Sequence, residues 1–259
     1  MTDGSPGAGR VTLSGVSQRF RSASGDWTDA LGPIDLDLEP GSFVSLVGPS
    51  GCGKSTLLRL IAGFDRPDAG SVTVGDRIVA APGPDRGVVF QQPNLYPWLT
   101  VAGNVEFGPR RRRVPRSERA TLVAEHLELV GLSEFAGHRP YELSGGMQQR
   151  VQLARVLANR PSIVLMDEPF GALDALTRDR LQDELLRIWR VARPTVLFIT
   201  HSVEEAIYLG TRVLVLSPRP GRVVADLRPD FSTSGAHGPE VRSDRDFVEM
   251  RARVGAYLQ

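Results

Sequence analysis

The sequence predicts an α/β protein: a largely parallel sheet covered on both faces, with a small antiparallel β subdomain and an inserted α-helical subdomain. Three observations predict it. Short apolar runs that end in polar residues (SFVSLVG, SIVLMDEP, PTVLFITH, TRVLVLS) alternate with helical patterns, as strands buried on both faces of a parallel sheet do. Residues 66 to 90 hold short Val-rich runs between Gly and Pro turns. From about Thr100 to Arg160 the apolar spacing turns helical.

Taken in order, VTLSGVSQRF reads as a first strand after a polar, Gly-rich start. IDLDLEPGSFVSLVG reads as a strand, a turn at Pro40-Gly41 and a buried strand. KSTLLRLIAGF follows, with Leu57, Leu58, Leu60 and Ile61 at helical spacing and Gly63 as the stop. SVTVG, RIVA and GVVF are assigned to the small antiparallel sheet. TVAGNVEFG, SERATLVAEHLELVG and GMQQRVQLARVLANR read as helices, the last halted by Pro161. LTRDRLQDELLRIWRVA and VEEAIYLG are the helices between the later strands. After about Asp226 the chain runs loosely through PDFSTSGAHGPE to a helix, DRDFVEMRARVGAYL. The Arg110 to Arg113 run reads as a solvated loop.

With 259 residues, 41% hydrophobic and 24% charged, the chain has the composition of an ordinary globular protein. A net charge of +1 gives little general attraction to nucleic acid. A single cysteine excludes an intrachain disulfide. The N-terminus has no apolar core of a secretory signal, and no run of about 18 apolar residues offers a membrane span.

In an open α/β sheet the chemistry sits beyond the carboxyl ends of the strands, and two sequence features lie there. The first is Gly48, Pro49, Ser50, Gly51, Cys52, Gly53, Lys54, Ser55 and Thr56, which fits the phosphate-binding loop G-x-x-x-x-G-K-[ST] between a strand and a helix. Its backbone N–H groups and helix N-terminus favour phosphate. Lys54 can reach the β- and γ-phosphates, and the Ser55 hydroxyl can ligate Mg²⁺. Lys54 is the only lysine among 31 basic residues, which suits a place where a compact ammonium, not a guanidinium, must fit. Cys52 needs only to be small, and alkylation there is expected to block nucleotide. The second feature is Asp167-Glu168, two acids delivered by the apolar run Ile163–Met166. They read either as Mg²⁺ contact and water-polarising base, or as a cap for the following element.

Leu143, Ser144, Gly145, Gly146, Met147 and Gln148 open a helix some 20 residues ahead of LMDEP. With that segment in place the chain resembles the nucleotide-binding subunit of ABC transporters over roughly residues 11 to 225. The resemblance implies a RecA-like P-loop NTPase core that binds and hydrolyses ATP with Mg²⁺. It implies that Leu143, Ser144, Gly145, Gly146 and Gln148, the signature segment, face the ATP of a second copy in a head-to-tail dimer. It makes Gln91 a contact to Mg²⁺ and water, Asp174 a dimer contact and His201 a γ-phosphate contact, and leaves Asp167 on Mg²⁺ and Glu168 as base. Phe20 takes the place of an aromatic that stacks on adenine. A core residue at a strand end is the other reading of Phe20, and Trp27 is a weaker rival. Met147 stands where Gln is often found, and Gly171 where Ser is common.

The implied organisation is a flexible tail over 1–10, an ATPase domain over 11–227 with its helical subdomain at about 95–160, and a C-terminal tail over 228–259. LYPWLTVAGNVEFG and VLSPRPGRVV resemble the nitrate, taurine and alkanesulfonate importer group. That implies integral membrane permease subunits as partners, an extracytoplasmic solute-binding protein beyond them, no nucleic acid, and a place on the cytoplasmic face of the membrane. Tyr96 and Trp98 read equally as permease contacts or as packing. The alternatives are a soluble ABC ATPase acting on nucleic acid or ribosomes, a transporter for another solute class, and an inert cassette. Intact Lys54, Asp167, Glu168 and His201 argue against the last.

Overall fold

The computed structural model describes residues 9–21, 25–229, 231 and 239–258. Most of the N-terminal tail, His237 and the loose start of the C-terminal tail lie outside them. In chain order the core begins with β1 (Val11–Arg21), β2 (Trp27–Leu38), β3 (Phe43–Val47) and α1 (Lys54–Ala62). Then come β4 (Ala69–Val74), β5 (Arg77–Ile78) and β6 (Arg86–Val89). Helices α2 (Val101–Arg111), α3 (Arg116–Leu129) and α4 (Gly145–Leu157) follow. The chain returns through β7 (Ile163–Asp167), α5 (Ala175–Ala192), β8 (Thr195–Ile199), α6 (Val203–Leu209), β9 (Arg212–Leu216) and β10 (Val223–Leu227). Two further helices, α7 (Pro239–Arg242) and α8 (Arg245–Ala256), complete it.

The predicted α/β architecture is present as two sheets. One is antiparallel, in the order β2-β1-β4-β5. The other runs β10-β9-β3-β8-β7-β6 and is parallel except for β10. One strand expectation fails. GVVF belongs to β6, which pairs parallel with β7 at the edge of the large sheet, not with the small antiparallel one. The arginine run is also not a loop throughout, since Arg110 and Arg111 form the last turn of α2. Their side chains are exposed, and cations there complement the helix dipole.

The period-2 rule explains the layering. Val164 and Met166 of β7 face one apolar core, while Ile163 and Leu165 face the other. The first core takes side chains from α4, α5, α6 and α8; the second takes α1, β1, β2 and β4. Burying such side chains on both faces, at about 1.5–3 kcal/mol each, fixes strand register and so fixes where each strand ends. β3, β7 and β8 end at Val47, Asp167 and Ile199, and the loops beyond those ends build the site.

Candidate functional site

The loop after β3 is shaped by Gly53, whose φ of 104° lies in the left-handed region open to glycine. A Cβ there would also lie 2.5 Å from Leu31 Cδ2 and 2.9 Å from the Ala30 carbonyl oxygen. From this turn α1 starts at Lys54, its N–H groups directed at the loop. Lys54 is 6% exposed, and its Nζ donates to the carbonyl oxygens of Gly48 at 2.7 Å and Pro49 at 3.0 Å. An ammonium fits between these carbonyls as a point charge with several donors.

Cys52 departs from expectation. Its side chain is 1% exposed and belongs to the apolar core beneath the loop. The thiol is therefore no ready handle for alkylation; it fills space under the loop.

Across from the loop, Glu168 follows β7 with a φ of 48°, a conformation that costs a residue with a Cβ about 1 kcal/mol or more. Its N–H donates to the Ile199 carbonyl at 3.0 Å, which ties it to the end of β8, two residues before His201. The side chains converge. His201 Nε2 lies 2.5 Å from Glu168 Oε1, and Gln91 Nε2 donates to Glu168 Oε2 at 3.0 Å. Both carboxylate oxygens are thus held by neighbours from two other strand ends.

One cavity of about 460 Å³ takes in both halves. It is lined by Ser50, Gly51, Gly53, Lys54, Ser55 and Thr56 of the loop, by Gln91, Glu168 and His201, and by Phe20. Asp167 ends β7 beside it without lining it. Phe20 is 44% exposed and opposes Thr28, another lining residue, across β1 and β2. Trp27 is 58% exposed, lies under the Arg19 guanidinium at 4.6 Å and does not line the cavity. Phe20 thus lines the cavity and is not a core residue, while Trp27 lies outside the lining.

Two arginines in the cavity wall were not singled out from the sequence. Arg21 follows Phe20, and Arg219 donates through Nε and Nη2 to the Gly51 carbonyl at 3.1 and 3.0 Å. Arg219 lies in the SPRPGR turn after β9, at the same end of the sheet, and that position was the available signal. Of the other histidines, His126 bonds the Leu122 carbonyl through Nδ1 at 2.8 Å, and burial pushes its pKa down. His138 packs on Phe135.

The signature segment and Asp174 do not line this cavity. Ser144 caps α4, its Oγ accepting the Met147 N–H at 3.3 Å. Gln148 turns back to donate to the carbonyls of Pro140 and Leu143, at 3.0 and 3.2 Å, and Leu143 is buried. Asp174 caps α5, accepting the Thr177 N–H at 3.0 Å, and that bond holds its carboxyl below the usual range. The two caps are neighbours: a Cβ on Gly146 would meet Leu173 at 3.2 Å. A Cβ on Gly145 would meet nothing within 4 Å. Loop and signature thus stand apart in one copy.

With this geometry in hand, comparison with known proteins gives concordant results. The family described as ABC transporter matches residues 31–171. A taurine import ATP-binding protein of Rhizobium johnstonii is 51% identical, covering 92% of both chains. An uncharacterized ABC transporter ATP-binding protein of Methanocaldococcus jannaschii is 49% identical, covering 89% of this chain and 85% of the relative. Among solved structures, a dimeric bacterial ABC transporter cassette is 35% identical with a TM-score of 0.77, covering 84% of this chain and 98% of that one. The same cassette in a post-hydrolysis dimer bound to ADP and Pi gives a TM-score of 0.76.

Proposed function

The chain belongs to the ABC transporter family, and from that premise we propose that it is the ATP-hydrolysing subunit of an importer, with taurine or a related small solute such as nitrate or an alkanesulfonate as cargo. The observation that carries the ATPase reading is the meeting of Gln91, Glu168 and His201 in the cavity that also holds Lys54 and Ser55. Lys54 and the loop amides hold the phosphates, while Phe20 supplies a face for the base. Glu168, its oxygens already aligned by His201 and Gln91, takes the proton of the attacking water. His201 then stands beside the γ-phosphate oxygens.

The donors fit Mg²⁺. The Ser55 hydroxyl, the Gln91 amide oxygen and the Asp167 carboxylate are all hard oxygen ligands, with the Gln91 nitrogen occupied by Glu168. When bound, Mg²⁺ neutralises charge developing on the transferred phosphoryl group.

A second copy supplies what this cavity lacks. The exposed Ser144 and Gly145 of one copy, with the half-buried Gly146 beside them, close on the ATP of the other, and Asp174 lies in the contact. Such a dimer, closing with ATP and opening after hydrolysis, converts differential nucleotide affinity into movement. Among the described residues no helix is long and apolar enough to cross a membrane, so permease subunits are the recipients of that movement. Trp98, 67% exposed, is the better permease contact. Tyr96 is partly buried and packs between Phe107 and Arg155, with ring centroids 4.6 Å apart and the guanidinium 5.3 Å away.

Glu168→Gln tests the site. Turnover is expected to fall about 100-fold or more, while ATP affinity stays within about threefold. Wild-type turnover in that variant would remove the assignment of the base.

A further inference from the structure

Thr200, His201 and Ser202 make the turn between β8 and α6, and the Thr200 hydroxyl holds it from two sides. It accepts the Ser202 N–H at 3.0 Å and donates to Glu205 Oε2 at 2.5 Å. Glu205 lies one turn into α6, where its own N–H donates to Ser202 Oγ at 3.2 Å. The other carboxylate oxygen faces α5: Gln182 Nε2 donates to Oε1 at 3.2 Å, and Arg178 Nε lies 3.7 Å from it. Gln182 is fully buried. Its Oε1 accepts from Arg242 of α7 at 2.9 Å, and Arg242 pairs with Asp179 at 2.8 Å and stacks over Tyr208.

A continuous polar path therefore runs from the C-terminal segment, through α5, to the residue before His201. Burial pushes the Glu205 carboxyl up, against the Thr200 hydroxyl and the arginines that pull it down. An apolar side chain of similar size would fill this space without that cost. What the carboxylate adds is direction: it joins the His201 turn to α5, whose first residue follows Asp174.

We propose that Glu205 is a positioning residue for His201, fixing the Thr200–Ser202 turn against α5, and that Arg242 draws the C-terminal segment into the same brace. The proposal rests on the reading of His201 as a group that acts at the γ-phosphate. Its consequence is kinetic. A loosened turn leaves ATP binding to the loop intact but misplaces His201 against Glu168.

The test uses the full chain and three variants: Thr200→Val, which removes the hydroxyl at nearly constant volume, Thr200→Ser, which keeps it, and Glu205→Ala. We expect Thr200→Val and Glu205→Ala to lower kcat about tenfold with KM for ATP changed less than about twofold. The His201 imidazole ¹H–¹⁵N resonances shift in both. Thr200→Ser restores the resonances and most of the rate. Should Glu205→Ala fail to fold, Arg242→Ala carries the same expectation with a drop of about threefold. Unchanged kcat and unmoved His201 resonances in Thr200→Val, beside a Glu168→Gln variant that no longer turns over, would overturn the brace and leave the site reading standing. Wild-type turnover in Glu168→Gln would overturn both.

Discussion

At the residue scale, the two glycines of the signature segment differ in a way that bears on partners. Gly146 is tightly placed against Leu173, whereas Gly145 has open space where a Cβ would go and a φ outside the left-handed region. Among the described residues nothing asks for glycine at the first position of α4. Alanine there should stabilise the folded chain by up to about 1 kcal/mol. If the empty space is kept for a nucleotide held by another copy, Gly145→Ala will raise or preserve the melting temperature while lowering ATP turnover. Unchanged turnover would mean that nothing approaches Gly145. Lys54 could be read from the sequence alone because it is the one lysine in an arginine-rich chain and the loop spacing surrounds it. Cys52 and Arg219 could not. Whether a loop side chain points to the cavity or the core depends on backbone dihedrals, and an arginine reaching in from another turn leaves no local pattern.

At the scale of elements, long periodic helices and the mostly apolar five-residue strands β3, β7, β8 and β9 were legible, but the sheet to which the less buried β6 belongs was not. α5, at 18 residues, repeats its apolar spacing enough times to be unambiguous. β6 has four residues, and its pattern suits either sheet. Its true partner, β7, lies more than 70 residues along the chain, where no local signal reaches. The β9–β10 hairpin gives an electrostatic prediction. Arg212 donates to both Asp226 carboxylate oxygens, at 2.8 and 2.7 Å, and holds that carboxyl below the usual range. Because the folded pKa lies below the unfolded one, the contribution is complete at neutral pH and is lost as pH falls through the lowered value. Asp226 is part exposed, so the pair contributes no more than about 1 kcal/mol. Asp226→Asn should thus be less stable than wild type at pH 7, with the gap closing as pH falls below the ordinary carboxylate range. A gap independent of pH would assign the loss to packing.

At the scale of the whole molecule, the phosphate loop and the Ser144-Gly145-Gly146 helix start do not share a cavity. The cavity is lined by Phe20, Lys54, Gln91, Glu168 and His201, while Ser144, Gly145 and Gly146 start α4 outside it; the proposed function makes them two halves of one site. The phosphate loop and the Leu143–Gln148 segment were legible because each is a contiguous motif, one at a strand end and one at a helix start. Spacing alone does not show the convergence of Gln91, Glu168 and His201, which come from three strand ends joined by buried apolar faces; the family resemblance is what implied that all three act at one nucleotide. On the proposed function, a second copy completes the site. The measurement that tests it most directly is the mass of the Glu168→Gln chain by sedimentation, with and without saturating ATP. Completion by a second copy predicts a dimer with ATP, a monomer without it, and loss of the dimer when Gly146→Asp is added. A monomer in saturating ATP, or a dimer indifferent to both ATP and Gly146→Asp, would contradict it.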